Sequence, residues 1–237
     1  MKNAKKAEGK TRISLKNTQE IRKIVGMAVF AALSYAVTFV FRIPVQFLTF
    51  DAKDAVLTIA AFIYGPSSAL IMSLIPAFIE FITISGTGFW GFLMNYASSA
   101  CFSFVAALLY KYRRSFGGAI VGLYLSVIAT TAFMAVMNIL VTPIYMEVPS
   151  AVVLQLLPTL LLPFNFAKAL MNSAIVMLLY KPISQALKRA RLVHSTVMKP
   201  VETKSILNKN TLIMAAIGLV TLALAATVFV ILRQGNM

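Results

Sequence analysis

Glu80, Asn138, Asn165, Lys168 and Asn172 stand out in this sequence because each is a polar or ionisable group set inside a long apolar run. Such groups are costly in hydrocarbon and are rarely accidental there. Asn165, Lys168 and Asn172 are spaced i, i+3, i+7, so they share one helix face. Glu80 and Asn138 belong to other runs, near their outer ends, and alternating chain direction brings all five to one end of a bundle. One reading is internal glue: asparagines bonding helix to helix, with Lys168 paired to Glu80. Clustering at one depth beneath an external loop favours the other reading, a polar ligand pocket. Asn supplies both donor and acceptor and Lys supplies donors, a set able to read a flat heterocycle with alternating carbonyl and N–H edges. Phe47, Phe50, Phe89, Trp90 and Tyr145 fall at the same mouth and could stack on it, although an interfacial aromatic belt would use the same residues.

The elements that must position these groups follow from composition. The chain has 237 residues, 59% of them apolar and 12% charged. That apolar content furnishes roughly six or seven spans at about 20 residues each, and a soluble core could not hide it. The expected architecture is an all-α integral membrane protein. Its spans are read at 24–41, 51–64, 67–84, 91–110, 118–141, 164–180 and 211–232. The second is short for a span. The stretch 151–162 is read as too short to cross, an external segment that dips into the interface or covers something. The order divides into a basic segment 1–23, a six-span membrane domain 24–182, a basic linker 183–210 and one appended helix 211–232.

The net charge of +15 is a topology signal. Eight of 22 Lys and Arg lie in residues 1–23, three in 111–114 and seven in 181–209. Runs of apolar sequence separate these clusters, and the count above puts all of them on the cytoplasmic side, as the positive-inside rule requires. The N-terminus is then cytoplasmic and the C-terminus extracellular. Attraction to anionic headgroups of the lipid bilayer follows. Nucleic-acid binding does not, since basic and aromatic groups never interleave on one surface.

Other motifs weigh less. One Cys and one His exclude a disulfide framework and a Cys-based metal site. Glu8, Gly9, Lys10 and Thr11 imitate the end of a phosphate-binding loop, but Ala4 stands where that motif needs glycine. The chain is not expected to hydrolyse ATP itself. Asp51 and Asp54 read as caps at the start of the second helix, with a ligand role as the alternative. Ala28, Ala32 and Ala36, and separately Gly118 and Gly122, are small residues at four-residue spacing that let helices approach closely.

These residues resemble a family. Phe47-Leu-Thr-Phe-Asp-Ala-Lys-Asp54, Phe62-Ile-Tyr-Gly-Pro66, Glu80-Phe-Ile-Thr-Ile-Ser-Gly-Thr-Gly88, Met137-Asn138 before Thr142-Pro143, and Leu162-Pro-Phe-Asn-Phe-Ala-Lys168 are similar to the riboflavin-specific substrate-binding subunit (S-component) of bacterial energy-coupling-factor (ECF) transporters. The resemblance covers about residues 24–182. It implies a six-helix bundle, with one appended transmembrane helix here, that binds riboflavin in its outer half. It also implies association with a transmembrane coupling subunit and two cytoplasmic ATPase subunits, and uptake by reorientation within the membrane. Asn138, Asn165 and Lys168 match positions that hydrogen-bond the isoalloxazine ring, with Glu80 beside them. Phe47, Leu48, Thr49 and Phe50 would contribute ligand contacts. Ala28 and Ala32 match an alanine motif that docks the coupling subunit. Riboflavin is cargo, and no cofactor or metal is implied.

Three alternatives remain open: the same fold carrying another flavin or heterocyclic vitamin, an intramembrane enzyme, and a self-sufficient ion-coupled carrier using Glu80 as its proton site. The single histidine, His194, falls in the inner linker, far from the outer polar cluster, and no internal repeat of the kind many carriers show is visible. The topology is directly testable. A cysteine placed at Gly235 should react with an impermeant thiol reagent on intact cells, and one at Ser195 should not; reversed labelling would invert the assignment.

Overall fold

The computed structural model describes residues 2–84, 86–189 and 209–234. Ser85, His194, Ser195 and Gly235 lie outside them. Helix α1 (Lys2–Val40) leads into a two-stranded hairpin, β1 (Ile43–Val45) and β2 (Leu48–Phe50). Helices α2 (Lys53–Tyr64), α3 (Pro66–Thr83), α4 (Gly88–Tyr112) and α5 (Phe116–Met146) follow. Then α6 (Ser150–Leu156) runs through a π-helical turn, Leu157–Leu161, into α7 (Leu162–Arg189), and α8 (Lys209–Gln234) is the last element among the described residues. The phosphate-loop imitation at residues 8–11 lies within α1, with no strand before it among the described residues.

Six helical segments among the described residues are long and apolar enough to cross a membrane: Thr18–Val40, Pro66–Thr83, Gly88–Tyr112, Gly117–Met146, Ser150–Ile183 and Thr211–Leu232. In each, no more than 44% of the apolar window is buried, which leaves the rest to face lipid. Large side chains such as Val29, Phe78, Ile128 and Leu224 are exposed accordingly. This is a multi-pass membrane protein.

The second expected span departs from that pattern. At 12 residues, α2 is about 18 Å long, well short of a hydrocarbon core of about 30 Å. Ten of its 12 residues are buried. A helix apolar all round belongs inside a bundle, and α1, α3, α4 and α7 all pack around this one. The hairpin completes the passage to the outer end. Its two-residue turn needs a left-handed backbone, and Gln46 supplies it with φ of 53°.

A second correction concerns 151–162. It forms no separate external segment, because helix is continuous from Ser150 into α7. Pro158 sits in the wide π-turn, where altered hydrogen bonding accommodates the missing N–H. Pro163 lies at the second position of the helix that follows. Likewise α5 continues past Pro143 to Met146, because a proline in the last turn costs little helix beyond it.

Small residues set the closest approaches. A Cβ on Gly122 would lie 2.9 Å from the Ala106 carbonyl oxygen of α4, and one on Gly118 would strike the Arg113 carbonyl. Gly122 therefore serves packing of α5 on α4, and Gly118 the tight turn that joins them. Ala28, Ala32 and Ala36 differ: all three are exposed, while Phe30, Ala31, Ser34 and Thr38 bury the opposite face of α1.

Candidate functional site

The start of α2 delivers three charged residues into the bundle: Asp51, Lys53 and Asp54 are at most 3% exposed. Burying them demands partners, and each has one from another helix. Lys53 Nζ donates to both carboxylate oxygens of Glu80 on α3, each at 2.8 Å. Asn95 on α4 donates to the same carboxylate at 3.1 Å. Lys168 on α7 donates to Asp51 Oδ2 at 2.9 Å, and Lys53 lies 3.7 Å from that oxygen. Ser99 on α4 donates to Asp54 Oδ1 at 2.5 Å.

The Lys168–Glu80 pair of the glue reading does not form. The α2 terminus stands between α3 and α7, so Lys53 takes Glu80 and Asp51 takes Lys168. It also refines the capping expectation. Ala52 occupies the N-cap position and its side chain makes no capping bond. Asp51 Oδ1 does accept from the Lys53 N–H at 3.3 Å, but the stronger cap comes from α7, where Asn172 Oδ1 accepts from the Ala55 N–H at 2.9 Å. The Asn172 amide also donates to the carbonyls of Asp51 and Lys168 at 3.1 and 3.0 Å. Asn172 is thus a clamp between α7 and α2, and it lies outside the cavity wall.

Above these pairs is a cavity of about 270 Å³, close to the lower end of the range for small-molecule sites. Phe47, Leu48 and Thr49 of the hairpin line it, as do Glu80, Asn138, Asn165 and Lys168. Phe50 does not. Its ring turns away from the cavity and packs edge-on against Phe229 of α8, with centroids 5.9 Å apart. Of the other expected mouth aromatics, Tyr145 lines the wall, while Phe89 and Trp90 do not. Phe81, Phe92 and Phe164 take their place.

The wall amides are pre-oriented by their own helices. Asn138 Nδ2 donates to the Met134 carbonyl at 2.6 Å and Asn138 Oδ1 accepts from Thr142 at 3.0 Å. Asn165 Nδ2 donates to the Leu161 carbonyl at 2.7 Å. Each amide nitrogen carries two N–H groups, so one fixes the side chain and the second can address a ligand. Sequence reasoning gave Asp51 a ligand role only as the alternative to a cap, and did not assign Asn95 or Lys53 to the site. The signal was the alternating charge of Asp51, Lys53 and Asp54, too polar for lipid and in register with a helix start.

The site lies at the end of the bundle opposite the basic residues Lys23, Lys111 and Arg114, which gather around the other end of α2. Residues 22–180 match the family model described as "ECF transporter, substrate-specific component". This chain belongs to that family. The S-component is 28% identical over 183 residues to the "Riboflavin transporter RibU" of Staphylococcus aureus (strain TCH60), a match covering 73% of this chain and 96% of that protein. Its fold matches a solved structure described as "Structure and mechanism of the S component of a bacterial ECF transporter". There the TM-score is 0.62 at 25% identity, covering 72% of this chain and 99% of that one. Helix α8 lies beyond the part of the S-component that the family model matches.

The ion pairs of the S-component make a prediction. Lys53→Met leaves Glu80 buried without its cation and should destabilise the protein by about 3–5 kcal/mol. Lys53→Met combined with Glu80→Gln should recover much of that loss, as thermal unfolding in detergent would record. Strictly additive effects would mean that the two residues are not coupled.

Proposed function

We propose that this S-component captures riboflavin at the outer end of the bundle and releases it inside when docked on a coupling and ATPase module. The observation that carries this reading is the 270 Å³ cavity whose wall combines Asn138, Asn165 and Lys168 with aromatic rings. A flavin ring is flat and presents carbonyls and an N–H along one edge. Lys168 and the free amide N–H groups suit the carbonyls, and the amide oxygens suit the ring N–H. Phe47, Phe81 and Phe92 offer apolar surface for the tricycle, and Glu80, held by Lys53 and Asn95, can accept from ribityl hydroxyls. The name borne by the Staphylococcus aureus relative supports the same ligand.

In this reading the N-terminus is cytoplasmic and the C-terminus extracellular. The protein is a binding subunit and performs no catalysis. Energy comes from two cytoplasmic ATPase subunits acting through a transmembrane coupling subunit, since the chain's own phosphate-loop imitation lacks the required glycine at Ala4. The coupling subunit docks on the smooth, exposed alanine stripe of α1 at Ala28 and Ala32, where backbones can approach closely. An ion-coupled carrier using Glu80 is disfavoured, because that carboxylate is locked by two hydrogen bonds from Lys53.

The purified protein should be yellow and should quench added riboflavin fluorescence. Asn165→Ala or Lys168→Ala should each weaken binding by about 1–3 kcal/mol, the cost of an unsatisfied buried partner; unchanged titrations in both folded variants would refute the pocket assignment.

Ala32→Trp separates capture from uptake. It should leave riboflavin binding by the isolated protein intact and abolish uptake in cells that supply the ATPase module. Preserved uptake would remove the stripe from the mechanism, and lost binding would reassign it to packing within the bundle.

A further inference from the structure

Helix α8 begins at Lys209, beyond the 22–180 region that defines the family, and the riboflavin reading gives it no task. Its contacts give it one. It packs closely along α7, where a Cβ on Gly218 would lie 3.2 Å from Cβ of Met177. Midway, Thr221 is hydrogen-bonded to Tyr124 of α5 at 2.6 Å. These contacts fix the helix along its length and aim its last turns at the hairpin. There Phe229 and Leu232, both 8% exposed, complete an apolar cluster with Val45 and Phe50 of the hairpin and Leu160 and Phe164 beside it.

The hairpin needs that support. It has three residues in each strand, and an isolated two-stranded hairpin is marginally stable at best. Both Val45 and Phe50 belong to the cluster that α8 completes, while the intervening Phe47, Leu48 and Thr49 line the cavity. One short element thus lines the candidate ligand space with Phe47, Leu48 and Thr49, and meets α8 through Phe50, whose ring packs on Phe229.

We infer that α8 is a brace: through Phe229 and Leu232 it holds the hairpin over the cavity and so sets the lifetime of the bound ligand. The ligand's identity rests on the riboflavin reading, but the brace itself can be measured without ligand. Phe229 and Leu232 are positioning residues, acting through Phe50 and Val45.

The test uses the full-length protein in lipid nanodiscs, with hydrogen exchange followed over residues 43–50 and riboflavin release followed after dilution. Phe229→Ala should speed exchange in the ligand-free hairpin and accelerate riboflavin release, each about tenfold, equivalent to roughly 1.4 kcal/mol. Exchange in α3 and α4 should not change. Phe229→Leu should restore both properties by refilling the space. Leu224→Ala, on a part of α8 that is 59% exposed, should alter neither. Leu232→Ala serves as the second probe if Phe229→Ala does not fold. Unchanged hairpin exchange in a folded variant would overturn the brace, as would faster exchange with an unmoved release rate. If the parent protein retains no riboflavin, the proposed ligand is wrong, and hairpin exchange alone then decides whether α8 is a brace.

Discussion

Three carboxylates and two lysines buried around the end of one short helix are the constraint on which the rest of the structure depends. In a medium of low dielectric, an unpaired charge is far more costly than in water, and a paired one is tolerable only with good geometry. The pairings draw on three neighbours of α2: Glu80 from α3, Asn95 and Ser99 from α4, and Lys168 from α7. They work only if those helices hold fixed positions relative to α2. The small residues of α4 make this possible. Ser103 exchanges a hydrogen bond with Thr58 at 3.1 Å, and Ala106 and Ala107 continue the same buried face. Asn172 then ties the last partner, α7, to the free N–H groups of α2.

Ligand recognition and structural integrity share side chains as a result. Glu80, Asp51 and Lys168 each spend part of their bonding capacity on an ion pair and present the remainder to the cavity. Such groups are already immobilised before anything binds, which lowers the ordering cost that association would otherwise carry. The aromatic walls add rigid apolar surface of the same kind.

Much of this was legible from residue types alone. Long apolar runs interrupted by basic clusters disclosed the spans, and the i, i+3, i+7 spacing disclosed the polar face of α7. What periodicity could not disclose was who pairs with whom. The glue reading paired Lys168 with Glu80, the two charges set within apolar runs, and gave Lys53 at the helix start no partner. Its burial follows from the shortness of α2, a tertiary circumstance invisible in a window of sequence. Pro158 and Pro163 misled in the opposite direction. Proline usually ends a helix, but a single wide turn let this one continue from Ser150. Phe50 was placed with its hairpin neighbours, yet a helix almost two hundred residues away in sequence claims its ring.

The separation of Asp51 and Lys168 by 117 residues has a consequence for biogenesis. A segment that carries two aspartates and a lysine at its leading end gains little from entering lipid alone, since each charge opposes insertion by about 2.5–3.5 kcal/mol at mid-membrane. Its neutralising partner on α7 is synthesised long after α2 has left the ribosome. The Asp51–Lys168 pair can therefore form only once α7 is present, whereas the Lys53–Glu80 pair needs only α3. Charge compensation at the α2 terminus is in this sense completed by the element of its cluster that comes latest in the chain, α7.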